Sequence, residues 1–193
     1  MSNNMKMTLE DLMKKVYALI EELNPDSELL TDDPDISAKT YAVINQVMFE
    51  LARFKKIPRY EEMPVTEGQV VRFEDVAAIC GRELYQISNI TGARFVPRAN
   101  GTVLKIQEDG VLEIDFFVYP VRIEEDTDPK EYTFDLSADA LEILPYGVAA
   151  DLLKSDVSAA YGKVYAERYE MMLQRLDSRY SIGGIRMEGG YDV

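Results

Sequence analysis

Residues 100–118 read NGTVLKIQEDGVLEIDFFV. In the second half of this stretch Leu112, Ile114, Phe116 and Val118 fall on one side and Glu113 and Asp115 on the other. A period of two is the mark of a half-buried strand. Asn100-Gly101 and Asp109-Gly110 are pairs that tolerate positive φ, so each predicts a hairpin turn. Working outward, strands are predicted over 84–90, 93–98, 102–107 and 111–123, with 131–136 as a closing strand. The stretch from Pro58 to Gly68 reads as extended and exposed. Together these place a small antiparallel β domain at residues 67–136.

On both sides of that domain the period becomes helical. Thr8, with Asp11 three residues on, predicts a capped helix start, and Leu9, Leu12, Met13, Val16, Leu19, Ile20 and Leu23 recur at helical spacing up to Asn24-Pro25. The acidic, proline-bearing run from Asp26 to Asp35 predicts a loop. A second helix starts at Asp33-Pro34, proline being favoured at the first helical position. Its stripe is Tyr41, Ile44, Met48 and Leu51, and it closes near Phe54-Lys55-Lys56 before Pro58. Beyond the sheet, Ser137 predicts a cap for a helix through Leu141, Leu144, Val148 and Leu152, kinked or broken at Pro145. A last helix from Asp156 carries Tyr161, Val164, Tyr165, Tyr169, Met172 and Leu176. The fold class is therefore α+β: a bundle of about four helices with an inserted antiparallel β domain and an extended C-terminal arm. The parts are 1–66, N-terminal helices; 67–136, β domain; 137–178, C-terminal helices; and 179–193, the arm.

Composition narrows the function. The formal charge is −14, and a surface of that sign repels phosphate, since nucleic-acid affinity comes largely from Lys and Arg displacing counterions. DNA could slide past such a surface without being gripped. The lone Cys80 cannot close an intramolecular disulfide, and it reads as a structural thiol. No run approaches the ~20 apolar residues of a membrane span, and residues 1–6 lack the apolar core of a signal peptide. The chain is thus expected to be made in the cytoplasm and to assemble there.

Histidine is absent altogether. The commonest general base and commonest transition-metal ligand are thereby missing, and a Ser-His-Asp or Cys-His nucleophile is impossible. Carboxylates cluster at Asp32, Asp33 and Asp35 and again at Glu124, Glu125, Asp126 and Asp128. Neither run has the glycine and glutamate spacing of a calcium loop. Both read as solvated loop charge, so no catalytic residue, cofactor or metal ligand is assigned. Tyr161, Tyr165, Tyr169 and Met172 share one helix face and suit core packing or a subunit interface, since no dense basic flank makes them a base-stacking platform.

The tail is unusual. Ile182, Ile185, Met187, Tyr191 and Val193 are joined by Gly183-Gly184 and Gly189-Gly190, which will not hold a helix. Alternating apolar residues suit an arm that adds to a neighbouring subunit. Residues 1–35 carry nine acids against three bases, whereas residues 161–193 balance five against five. One end is acidic and the other neutral and adhesive, a polarity that suits a part stacked in an assembly.

Two stretches carry a family resemblance. Residues 45–58, NQVMFELARFKKIP, resemble the second helix of the head–tail adaptor (connector) proteins of tailed bacteriophages. Residues 140–156, ALEILPYGVAADLLKSD, followed by YAERYE at 165–170 and the glycine-rich end, are similar to the C-terminal part of such subunits. The resemblance covers nearly the whole chain in layout and is specific over 140–190, although the smallest connectors lack so large an inserted sheet. It implies a non-catalytic neck subunit of the virion, forming a homo-oligomeric ring, typically of twelve copies, beneath the portal protein. The arm would engage the portal through Arg175, Arg179, Tyr180, Ile182, Ile185, Arg186, Met187 and Tyr191. The β domain would face the next neck or tail protein, and DNA would pass through the bore without specific binding. A stopper or tail-completion protein lower in the neck is the alternative within this class. A metal-dependent enzyme acting on nucleic acid through an acidic cluster is the alternative outside it.

Overall fold

A computed structural model describes residues 6–20, 34–155, 159–176 and 186–187. Its described residues form five α-helices and two small sheets, antiparallel apart from one two-residue parallel pair, a mixed α+β architecture. They divide into two compact units, one drawn from residues 1–55 and 120–178, the other from 56–119 and 179–193.

In the first unit, α1 (Leu9–Leu19) begins at a reciprocal cap. The Thr8 hydroxyl accepts from the Asp11 N–H at 3.1 Å, and the Asp11 carboxylate accepts from the Thr8 N–H at 3.2 Å. Leu9, Leu12, Val16 and Tyr17 are the buried face. The predicted continuation to Leu23 lies outside the described residues, as does the loop that follows. α2 (Pro34–Phe54) carries proline at its first position, and Ile44, Val47, Met48, Leu51 and Ala52 are buried along it. α4 (Ala138–Leu152) starts at the Ser137 cap, and α5 (Ala159–Arg175) follows a 3-10 turn at Leu153–Ser155.

Two expectations for this unit need correction. α4 is a single helix through Pro145, so the break expected there does not occur. Proline removes one intrahelical hydrogen bond and costs roughly 3 kcal/mol, but ten residues of α4 are buried, and packing on most of its sides outweighs that loss. The closing strand over 131–136 is likewise not a sheet strand. Thr133 makes a lone bridge with Thr8, Tyr132 O accepts from the Leu9 N–H at 3.1 Å, and Phe134 N donates to Met7 O at 3.3 Å. The segment pairs with the chain entering α1, while Ile123, Phe134 and Leu136 are buried in the core.

The second unit holds β1 (Ile57–Val65), β2 (Val70–Arg72), α3 (Phe73–Cys80), β3 (Leu84–Gly92), β4 (Phe95–Arg98), β5 (Val103–Ile106), β6 (Gly110–Val118) and a two-residue β7 (Arg186–Met187). The first sheet has the order β1-β6-β3-β7 and the second β2-β5-β4. As the alternation requires, Leu112, Ile114, Phe116 and Val118 are buried while Glu113 and Asp115 face solvent.

Several local expectations change here. Residues 58–68 are largely strand: β1 pairs antiparallel with β6 from Ile57↔Val118 to Val65↔Gly110, and Met63 and Val65 are buried. Pro58 and Pro64 are tolerated because β1 is an edge strand. α3 stands where no helix was expected; its Arg72 N–H donates to Asp75 Oδ2 at 2.8 Å, and Gly81 closes it at φ 63°. β6 ends at Val118 ahead of Pro120 instead of running to Ile123. The hairpin predicted at Asn100-Gly101 forms between β4 and β5, with Ala99 and Gly101 at positive φ.

Asp109-Gly110 is not a hairpin, because β5 and β6 lie in different sheets. The chain changes sheets there: Gln107 N donates to Arg94 O on one side and Ala93 N to Val111 O on the other. The glycine that this crossing requires is Gly92, at φ 94°, where a Cβ would stand 2.1 Å from Val111 O.

Candidate functional site

The residues singled out as an interface or an arm are placed unevenly. Tyr165 and Tyr169 turn into their own unit. The Tyr165 hydroxyl donates to Leu19 O at 2.7 Å, and the Tyr169 hydroxyl donates to Glu50 Oε2 at 3.0 Å. Burial first, then the adjacent Glu50 carboxylate, pushes the Tyr169 phenol far above its ordinary value. Its ring also packs on Gly147, where an added Cβ would stand 2.7 Å from Val47 and 2.8 Å from Tyr169. Met172 is half-buried, and the Tyr161 side chain lies outside the described residues. The tyrosine stripe therefore fastens α5 to its own unit.

The outward face of α5 is a different one. Val164 and Met171 are 59% and 52% exposed, and Arg168 and Arg175 continue the same ridge at i+4 and i+11 from Val164. Arg168 lies over the Tyr146 ring, 4.3 Å from its centroid. This ridge was missed because the tyrosines dominate the helical pattern. Its signal was the 164, 168, 171, 175 spacing, which defines a neighbouring stripe.

Of the arm, Arg175 is exposed in the last turn of α5. The backbone of Arg186 and Met187 forms β7, parallel to β3 in the register Asn89↔Arg186 and Ile90↔Met187. Arg179, Tyr180, Ile182, Ile185 and Tyr191 lie outside the described residues.

A cleft opens along the exposed side of α2, about 530 Å³ in volume, lined by Asn45, Gln46, Phe49, Glu50, Arg53 and Arg122. Asn45 builds its wall. Its Nδ2 donates to Ile123 O at 2.8 Å and its Oδ1 accepts from the Ile123 N–H at 2.9 Å. Both ends of one amide thus hold the chain at 121–123 against α2, where Arg122 stacks 5.0 Å from the centroid of the Phe49 ring. Gln46 donates to Asp151 at 3.2 Å, and Glu50 is taken by Tyr169. Two guanidinium groups remain, and no carboxylate of the described residues pairs with Arg53 or Arg122.

The exposed face of the first sheet has the opposite sign. Glu62 stands directly across from Glu113, and Tyr60 across from Asp115. The Tyr60 hydroxyl donates to Glu62 at 2.9 Å, a bond that pushes the phenol up to about 12. Such a face repels phosphate.

The acidic runs serve as turn structure where they are described. Asp128 Oδ1 accepts from the Lys130 N–H at 2.8 Å, and Glu124 N donates to Thr127 Oγ1 at 2.9 Å. Asp32 and Asp33 lie outside the described residues, as does the side chain of Asp35. Among the described residues no group of three or more Cys, Asp or Glu side chains is placed to hold a metal ion, and no helix is long and apolar enough to cross a membrane. The Cys80 side chain is outside the described set. No protein-family model matches this sequence, and no curated protein matches it.

Proposed function

We propose that the chain is a structural subunit of a bacteriophage neck: a head–tail adaptor that forms a ring beneath the capsid portal and lets DNA pass through its bore. In this reading the helical unit builds the ring, the β unit forms an inserted domain, and residues 179–193 are an arm that grips the portal. The observation that carries it is β7. Arg186–Met187, in a tail that carries four glycines, takes up strand pairing on the edge of β3. A terminal segment that adds to a sheet edge suits docking by strand addition, in which main-chain bonds supply affinity and alternate side chains supply specificity. The exposed Val164 and Met171 ridge on α5 gives the ring an apolar surface to bury, and the acidic sheet face suits a part that DNA passes without adhering.

The test is electron microscopy of this protein mixed with a tailed-bacteriophage portal protein. The expected result is a ring seated on the portal with residues 177–193 along the portal surface. Free portal beside unbound subunits rejects the adaptor role, and affinity for tail components alone moves the chain down to a stopper or tail-completion position. Truncation after Leu176 is expected to leave a folded subunit that no longer docks.

A further inference from the structure

The second sheet turns outward a face that has no role in the account so far. In one row across its strands Arg72 and Arg98 flank Val103, and in the next Val70 and Val96 flank Lys105. The three cations are exposed and Val70 is 51% exposed, whereas Val71, Leu104, Ile106 and Phe95 on the other side are buried. None of the three cations makes an ion pair with another described residue. Asp75 and Glu108 lie at the rim, where they accept the N–H groups of Arg72 and Arg94. With the exposed Arg94 counted beside them, the face stays positive. In a chain of charge −14 it stands out, with valines interleaved among its cations.

The first sheet supplies the complement. Glu62, Glu113 and Thr91 form one row across β1, β6 and β3, and Tyr60, Asp115 and Asn89 form the next. Glu62 and Glu113 accept from neutral donors, Tyr60 at 2.9 Å and Thr91 at 3.1 Å. No described cation pairs with them or with Asp115. Like charges directly opposite each other destabilise a sheet, so Glu62 and Glu113 stand where a cation would bring relief. Each of the two faces is three strands wide and two rows deep, the strands ~4.8 Å and the rows about 7 Å apart. Exposed apolar side chains border the acids too, Tyr60 at 50% and Val111 at 43%. One chain cannot join its own two faces, because both are outer faces of a single compact unit.

We propose that the basic face of the second sheet receives the acidic face of the first sheet of another copy of this chain. Arg72, Arg98 and Lys105 pair with Glu62, Glu113 and Asp115 of the second copy, and Val70 and Val111 are covered between them. Repulsion between two acidic molecules is screened beyond ~8 Å at physiological salt, so the local pairing decides the contact. The exposed valines favour protein over a phosphate backbone as the occupant, since phosphate is held by charged and polar groups alone. The contact joins two different faces and is therefore heterologous: each copy keeps one face of each kind for a further copy, and the series forms a ring where the rotation closes. The joint deepens the reading of the chain as a ring subunit and rests on that reading for the closed ring. Once closed, it also covers the cations that would catch passing DNA.

The test uses the full-length chain without any portal. Sedimentation velocity is run on the wild type, on E62K/E113K, on R72E/R98E and on an equimolar mixture of the two variants. The wild type is expected to form dimers and larger species as concentration rises, and fewer of them as salt is added. Each variant alone is expected to associate at least about tenfold more weakly, although E62K/E113K is the less negative molecule and general repulsion would favour it. The mixture is expected to recover association, because one variant keeps the basic face and the other the acidic face. Unfolding cannot produce that gain. A wild type that stays monomeric at millimolar concentration, a variant that associates as the wild type does, or a mixture that fails to recover overturns the proposal. So does wild-type binding of a fluorescein-labelled DNA duplex that R72E/R98E loses, which would give the face to nucleic acid. Because the portal is absent, these failures leave the adaptor reading standing, and failure to seat on a portal leaves the joint standing.

Discussion

α4 and α5 are consecutive helices of one unit and behave in opposite ways. α4 is buried on most sides, with Leu141, Leu144, Val148 and Ala149 at 0–1% exposure, and holds a proline without breaking. α5 fully buries only Gly162 among its described residues, is fastened by two tyrosine hydroxyls, and leaves Val164 and Met171 in solvent. The lesson is that apolar residues on neighbouring helices need not share a purpose. Those of α4 are spent on folding, whereas Val164 and Met171 of α5 stay exposed.

The comparison breaks most visibly at Leu144. Leu144→Ala deletes buried methyl groups from α4 and is expected to cost about 3 kcal/mol in urea unfolding; a loss below about 1 kcal/mol would mean that α4 is less closely packed than described. Next comes Gly147→Ala, where alanine's better helix propensity is opposed by the close approach of Val47 and Tyr169. A net loss of about 1–2 kcal/mol is expected, and stabilisation would show that the two helices can part freely.

Tyr169→Phe on α5 removes one hydrogen bond and is expected to cost about 1 kcal/mol. It carries a pH signature as well. Burial and Glu50 raise the folded phenol above its ordinary value of 10.0. Its stabilising contribution is therefore complete below that pH and is lost as pH rises towards the folded value, because the unfolded chain ionises first. The variant should show a shallower alkaline decline in melting temperature than the wild type; identical declines would detach Tyr169 from Glu50. The smallest effect on stability belongs to the outer ridge. Val164→Ser with Met171→Gln is expected to change unfolding by less than about 0.5 kcal/mol, yet, on the adaptor reading proposed above, to abolish ring formation on the portal. Rings of normal size from this variant would mean that the α5 ridge is not the interface.

Much of this was legible in local chemistry. Thr8 and Asp11 marked the start of α1 because both partners of the cap lie within four residues. Pro34 marked α2, and the alternation of 112–118 marked β6, for the same reason. What escaped was decided by distant partners. Residues 57–65 became a strand because β6 was there to pair with them, and Asp109-Gly110 became a crossing because β5 already had two neighbours in another sheet. α3 is the exception, since Asp75 and Gly81 mark both its ends locally. Of the candidate site, the tyrosine stripe was visible as a period, but which stripe of α5 faces outward depended on where α4 lies. The α2 cleft could not be anticipated, because Arg53 and Arg122 are brought together by the Asn45 clip on Ile123.

The division of the first unit into residues 1–55 and 120–178 sets an order of events at the ribosome. α1 and α2 emerge first, but α4 and α5, against which they are buried, follow only after the whole of residues 56–119. At roughly 5–20 residues per second that interval is on the order of several seconds, and an eleven-residue helix such as α1 is marginal by itself in water. The β strands from β1 to β6 can close while the first two helices are still waiting. Newly made chains thus carry exposed apolar helix faces for seconds, and a chaperone has its opportunity in that interval.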